Sequence, residues 1–332
     1  MKDAHLPAYR KAGFRVIGIY DKEPAKAEGL SKSFEVGRVC KSLGEAVELG
    51  KGKVVFDVAV PAVSILDVLP SFPDGSAVLI QKPMGETLEQ ARKIRDLCHA
   101  KKLKAAINFQ LRYAPLALAA RSLIDQGLLG RINEMDFRVT VYTPWHLWTF
   151  LEGIPRVEIL YHSIHYLDLI RFFLGNPSGI YAKTVRHPGA PRLAATRSNI
   201  ILDYGDSVMA GISANHHHEF GPRHQESYVK WEGERGAIKA RLGVNLNYPE
   251  GLPDNFEYCL LKDAGLPEWK SVALKGTWFP DAFIGTMASV MRFVEGSTGQ
   301  LPTSVDDAFD TMAVVEAAYR SSESGAMEIP NA

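Results

Sequence analysis

Apolar residues follow two different rhythms along this chain. In the first third they form short continuous runs: Phe14–Tyr20 (FRVIGIY), Val54–Val60 (VVFDVAV), Ala77–Gln81 and Lys104–Phe109. Helical spacing fills the intervals at Glu23–Phe34, Leu43–Leu49 and Thr87–Ala100, and a weaker strand is predicted near Glu35–Val39. Apolar runs separated by helices predict βαβ units and a parallel sheet covered on both faces. From about Ala114 the pattern changes. A helix at Leu116–Gln126, a strand at Asn133–Tyr142 and a helix at Val157–Leu174 precede alternating strands at Gly179–Arg186, Ser198–Tyr204, Ser207–Asn215, Glu226–Glu232 and Ala237–Leu242. Few helices interrupt these, so an open, mainly antiparallel sheet is predicted, closed by helices at Asp281–Glu295 and Val305–Ser321. The pattern divides the chain into an α/β domain over residues 1–113 and an α+β domain over 114–332.

Composition narrows the function classes. Hydrophobic residues make up 46% of the 332 positions, ordinary for a globular chain with real cores. Lys+Arg and Asp+Glu both number 38, so no general charge attracts nucleic acid or an anionic membrane. Cys40, Cys98 and Cys259 are scattered without metal-ligand spacing, as expected of free thiols in a reducing cytoplasm. No window reaches the ~18 apolar residues of a membrane span, and the charged N-terminus is unlike a signal peptide. A soluble cytoplasmic protein without a metal is expected.

The parallel-sheet half suggests a dinucleotide fold, in which a Gly-x-Gly-x-x-Gly turn follows the first strand and an acidic residue ends the second about 20 residues later. Asp21 ends the run Phe14–Tyr20, so the turn would fall at or before Met1, and no such glycine motif is present. The expectation is a Rossmann-type sheet whose central first strand is encoded upstream of Met1. The alternative is a sheet that begins at Phe14 and binds no nucleotide.

Candidate chemistry follows the strand ends. Lys82 leaves the sheet at its carboxyl edge, where α/β ligands bind, and a desolvated lysine can take an alcohol proton or stabilise an alkoxide. The alternative is a solvated lysine at a strand end. On the predicted helix, a 100° step places Tyr161, His165 and Asp168 in one arc with His162 beside it. An imidazole between a phenol and a carboxylate suits proton exchange, or is a hydrogen-bonded core group. Asp21 suits a ribose 2′-hydroxyl, favouring NAD, while Lys22 leaves NADP open. Asn108 and Arg112 could grip substrate hydroxyls or staple the domains. The loop Trp145–Trp148 could wall a sugar site or pack between domains. His216, His217 and His218 are read as a polar strand end, since alternation separates them across two faces.

Taken together, VLIQKPMGE (Val78–Glu86), AHLPAYRKAGFRVIGIYD, VAVPA, INFQLRY and HSIHYLDLIRFFLG resemble the Gfo/Idh/MocA oxidoreductase family over essentially the whole chain. The resemblance implies hydride transfer between a nicotinamide ring and a sugar- or polyol-type substrate. It implies His165 as principal acid/base with Lys82 beside it; Tyr161, His162, Asp168, Asn108 and Arg112 are then expected to line the substrate site. It also implies Val60 and Pro61 against the nicotinamide ribose, and His5 and Gln81 near the cofactor; His5 read alone could equally be a surface residue at a helix start. The chain departs from the family in lacking the glycine turn, in carrying Gln81 where the family has Glu, and in carrying Tyr161 where Asp is common. An NAD-dependent dehydrogenase of sugars, sugar acids or cyclitols is the leading expectation, as a homodimer or homotetramer joined through the open sheet. A non-catalytic sugar or nucleotide sensor and a redox-assisted elimination or transfer with tightly held NAD remain open.

Overall fold

The computed structural model describes residues 1–52, 54–262 and 265–327. By its internal contacts the chain forms two compact units, one of Met1–Pro115 with Gly276–Asp310, the other of Leu116–Lys275 with Thr311–Ala332.

The first unit contains helices α1 (His5–Ala12), α2 (Pro24–Phe34), α3 (Leu43–Leu49), the single turn α4 (Ile65–Val68) and α5 (Leu88–Ala100), and strands β1 (Val55–Val58), β2 (Ala77–Ile80) and β3 (Lys104–Ile107). Their starts and stops follow local chemistry. Ser42 and Thr87 accept the Glu45 and Gln90 amides, capping α3 and α5. Gly13, at φ 70°, ends α1 in the left-handed conformation that glycine adopts without penalty. The strands are parallel in the order β1-β2-β3, with Val58 beside Ile80 and Ile80 beside Ile107. All three chains therefore leave the sheet at one rim. Helix α8 (Ala282–Val294) returns to this unit, where Phe283, Met287 and Val290 pack with Leu6, Tyr9, Leu79 and Ala106.

One predicted strand is corrected here. Phe14–Tyr20 forms no ladder; it makes a single parallel bridge, Ile19 to Val39, through the Ile19 and Cys40 amides. The Glu35–Val39 strand shrinks to the same bridge. An apolar run becomes a strand only where a neighbour supplies successive backbone partners, and among the described residues this run finds them at one position.

The second unit contains α6 (Pro115–Asp125, from Leu116 onward), α7 (Ile164–Leu174) and the part of α9 (Val305–Glu323) from Thr311. Its strands are β4 (Ile132–Thr140), β5 (Gly179–Val185), β6 (Arg197–Asp203), β7 (Met209–Asn215), β8 (Glu226–Gly233), β9 (Gly236–Arg241), β10 (Asn255–Leu260) and β11 (Trp269–Ser271). They form one sheet in the order β11-β10-β9-β8-β4-β7-β6-β5, antiparallel except for the parallel β4–β7 pair. Alternation buries one face: Met135, Phe137, Ile200, Ile212, Val229 and Trp231 point inward, and Phe137 stacks on Tyr166 of α7 at 4.7 Å. The opposite face leaves Tyr181, Ile201 and Met209 exposed.

The predicted helix Val157–Leu174 is also corrected. Ile159–Ser163 is a π-turn, and only Ile164 onward is α-helical. The 100° step that placed Tyr161 in one arc with His165 and Asp168 fails across this wider turn.

Candidate active site

In the first unit the rim formed by the parallel register carries Val60 and Pro61 after β1, Gln81 and Lys82 after β2, and Asn108 after β3. Val60 is half-buried and Pro61 exposed. Lys82 is half-buried, and burial pushes its amine down to about 8. Its peptide bond to Pro83 is cis. The backbone amide of Gln81 donates to Val58, holding the β2 exit against β1 at 3.0 Å.

A polar chain runs behind this lysine. The Lys82 amide donates to Gln81 Oε1 (2.8 Å), and Gln81 Nε2 lies 3.2 Å from His5 Nε2. His5 Nδ1 meets Asp57 Oδ2 at 2.7 Å, and the Tyr9 hydroxyl donates to the same oxygen at 2.7 Å. Asp57 is enclosed; burial pushes its carboxyl up, but His5 and Tyr9 more than offset this and hold it below the usual range. With the Nδ1 proton directed at Asp57, His5 Nε2 accepts from the Gln81 amide, leaving Gln81 Oε1 to hold the Lys82 backbone. His5 is therefore a core residue, 2% exposed and packed on Phe283, and the surface reading of it is corrected. Asp57 was not foreseen, although a lone acid inside the apolar run VVFDVAV was the available signal.

The other first-unit candidates separate. Asn108 is fully buried, and neither its amide nitrogen nor its amide oxygen has a hydrogen-bond partner among the described residues. Such orphaned polar atoms are rare in interiors and mark places where a ligand or water completes the set. Arg112 instead donates to the Pro302 carbonyl and to Asp307, within its own unit. Asp21 is half-buried and its Oδ1 accepts the Glu23 amide at 2.8 Å.

In the second unit His165 and Asp168 are buried on α7, while Tyr161 and His162 are half-buried on the π-turn. Asp168 accepts a hydrogen bond from Thr311 (3.0 Å), which also accepts from Arg171. Tyr161 packs edge-on to Phe150. The His162 ring faces Trp145 at 5.0 Å, Trp148 at 6.4 Å and His216 at 4.4 Å, so the aromatic loop and the π-turn form one wall. The histidine run follows directly on a strand, as the sequence suggests, and it faces the interior rather than solvent. β7 stops at Asn215, and His216 and His217 are buried. Behind the wall lies Glu158, fully buried, 3.6 Å from His216 Nε2 and accepting from Ser163 Oγ at 2.5 Å. Burial pushes Glu158 up to about 7 and His216 down to about 4. Sequence reasoning missed Glu158, a single acid in the apolar run VEILYHSI. Among the described residues no group of three or more His, Cys, Asp or Glu could hold a metal ion, and no helix is long and apolar enough to cross a membrane.

The family model of the GFO/IDH/MocA C-terminal domain matches residues 117–239. Inositol 2-dehydrogenase of Rhizobium meliloti (strain 1021) is 21% identical over 327 residues, covering 93% of this chain and 90% of the relative. The oxidoreductase YteT of Bacillus subtilis (strain 168) is 22% identical over 51% of this chain and only 42% of its own length. Among solved structures, an oxidoreductase from Agrobacterium radiobacter in complex with NAD+, L-tartaric acid and magnesium superposes with a TM-score of 0.76 at 19% identity, covering 92% of this chain and 88% of that one. That likeness shows a shared fold.

Proposed function

We propose, from the premise that this chain belongs to the Gfo/Idh/MocA family of oxidoreductases, that it is an NAD(P)-dependent dehydrogenase of a secondary alcohol on a sugar, sugar acid or cyclitol. The observation that carries the reading is Lys82, an amine at the carboxyl rim of the parallel sheet that burial brings to about 8. A lysine left in water holds its proton to well above pH 10; this one exchanges it within reach of neutral pH.

The residues at the rim fit the ribose and nicotinamide end of the cofactor. Asn108 offers a donor and an acceptor that have no partner among the described residues, Gln81 leaves the neighbouring strand β2, and Val60 and Pro61 follow β1, one strand further along the rim. No Gly-x-Gly-x-x-Gly turn for the diphosphate occurs in the 332 residues, and no residue is assigned to that group. Asp21 keeps one carboxylate oxygen clear of the Glu23 amide, suiting a ribose 2′-hydroxyl and favouring NAD over NADP. When bound, the nicotinamide supplies the hydride acceptor or donor. Lys82, neutral, accepts the alcohol proton during oxidation and returns it during reduction. The His5–Gln81 chain holds the Lys82 backbone so that its amine is presented from one position. His165 is the acid/base candidate of the second unit, and His162 and Tyr161 present ring faces and polar edges suited to a polyol. Asp168 and Arg112, tied to Thr311 and Asp307, act by holding their surroundings. We assign the exposed sheet face with Tyr181, Ile201 and Met209 to a homo-oligomer contact.

The test is titration with NADH and NADPH, followed by turnover of a panel that includes inositol and tartrate. NADH is expected to bind more tightly than NADPH, and oxidation is expected to accelerate as pH rises through about 8, where Lys82 loses its proton. Lys82→Met should lower kcat/KM by about 10²–10⁴-fold with cofactor binding retained. Failure of both nucleotides to bind overturns the reading. Binding without turnover favours a sensor on this scaffold, a reading that Gln81, an amide where the family carries a carboxylate, also favours.

A further inference from the structure

The proposed reaction leaves the most enclosed acid of the second unit without a role. Glu158 sits at the start of the π-turn Ile159–Ser163, and its Oε1 accepts the hydroxyl of Ser163, five residues on. That spacing is the register of the π-turn itself, i to i+5, so the side chain closes the wide turn in parallel with the backbone. π-turns are uncommon and cluster at functional sites. His216, whose Nδ1 pairs with Thr143 Oγ1 at 3.0 Å, stands 3.6 Å from Glu158. Trp145 Nε1 donates to the His216 carbonyl at 3.1 Å. Ser163 thus bonds to Glu158 and Trp145 to the His216 carbonyl, while the Glu158 carboxyl and the His216 ring pack against each other at 3.6 Å, beyond hydrogen-bond reach, between the π-turn and the aromatic loop.

We propose that Glu158 is a positioning residue: its carboxyl bridge to Ser163 holds the π-turn open and seats the His162 ring against Trp145, Trp148 and His216. The assignment rests on the reading above only in taking this aromatic wall as part of the polyol-binding surface. An ionised carboxylate so deeply enclosed would be costly without a counter-charge, and among the described residues its ion-pair neighbour is His216, which burial holds neutral above about pH 4. The groups around it are His216, the hydroxyls of Ser163 and Ser198, Tyr166 on α7, and Tyr319 on α9, beyond which Arg156 is paired with Glu316. Burial keeps the carboxyl protonated below about pH 7. Its work in this site is that of a neutral acceptor, which an amide can also perform.

Three variants, Glu158→Gln, Glu158→Met and Ser163→Ala, test this at about pH 6, where Glu158 keeps its proton. The measurements are Trp145 emission, taken as the difference from the same variant in a Trp145→Phe background, and KM and kcat with inositol. Glu158→Gln should keep emission and KM near wild type. Glu158→Met and Ser163→Ala should shift the emission and raise KM about tenfold with little change in kcat, as lost substrate positioning does. Ser163→Ala removes one hydroxyl and guards against a Glu158→Met protein that fails to fold. Wild-type emission and KM in a folded Ser163→Ala variant overturn the proposal. If the wild type does not turn over inositol, the emission comparison alone decides: a shift in Ser163→Ala rescued in Glu158→Gln upholds the bridge, and no shift removes it. The absence of turnover by itself bears on the dehydrogenase reading only.

Discussion

Glu158 and His216 are displaced from their ordinary protonation in opposite directions, and the pair leaves a mark on stability that neither would leave alone. Glu158, held up to about 7, keeps a proton in the folded protein that the unfolded chain has released, so its term weakens the fold as pH rises from about 4.5 to 7. His216, held down to about 4, is neutral in the fold while the unfolded chain is protonated, so its term strengthens the fold as pH rises from about 4 to 6.5. Over most of that window the two slopes oppose each other, each about 1.4 kcal/mol per pH unit at full strength. Wild type should show a shallow pH dependence of unfolding between pH 4.5 and 6.5. Glu158→Gln should expose a stability that climbs with pH, and His216→Gln one that falls, both read from denaturant midpoints. Parallel curves in all three proteins would show that the groups do not titrate in this way. Lys82 and His165 were legible as residue types at a strand end and on a helix. Glu158 and Asp57 were not, because a single acid in an apolar run signals burial without naming its partner.

Elements were legible wherever one period ran uninterrupted. Leu43–Leu49, Pro24–Phe34 and the strands from β5 to β9 lie where the pattern predicts, within a residue or two at each end. What escaped were features decided by partners. Phe14–Tyr20 has the composition of a strand and a single bridge. The π-turn depends on one carboxyl–hydroxyl contact that no periodicity reports. β10 is carried by its register against β9, and β11 by its register against β10, more than by their own sequence. Helix α8 shows the same dependence on a neighbour through Gly285. A Cβ there would lie 2.4 Å from Tyr113 Cβ, in the 3-10 turn Gln110–Tyr113 that follows the sheet rim. Alanine normally favours a helix over glycine by about 1 kcal/mol, but overpacking against a neighbouring residue costs typically 1–3 kcal/mol. Gly285→Ala should therefore lower the melting temperature by a few degrees; a rise would mean that Tyr113 moves aside freely.

For the whole molecule, Lys+Arg and Asp+Glu both number 38, so net charge sets up no long-range pull, and local patches govern association. The solvent face of the second sheet mixes Tyr181, Ile201 and Met209 with the Lys230–Glu134 and Arg138–Glu226 ion pairs. Complementary charges around an apolar patch suit a two-fold contact between copies. Met209→Glu should reduce the sedimentation coefficient to that of the monomer while NADH binding persists. A wild type that already sediments as a monomer removes this assignment and leaves the site untouched.

The return of α8 to the first unit has a consequence for synthesis. Phe283, Met287 and Val290 complete a core whose other members, Leu6, Leu79 and Ala106, are translated far earlier. During elongation those early residues wait with their apolar faces uncovered while the intervening sheet emerges from the ribosome. A fragment ending before Gly276 would keep every residue of the lysine rim yet lack the helix that closes the core beneath it. A chain cut before Gly276 should therefore leave Leu6, Leu79 and Ala106 uncovered and scatter more light on refolding than the full chain.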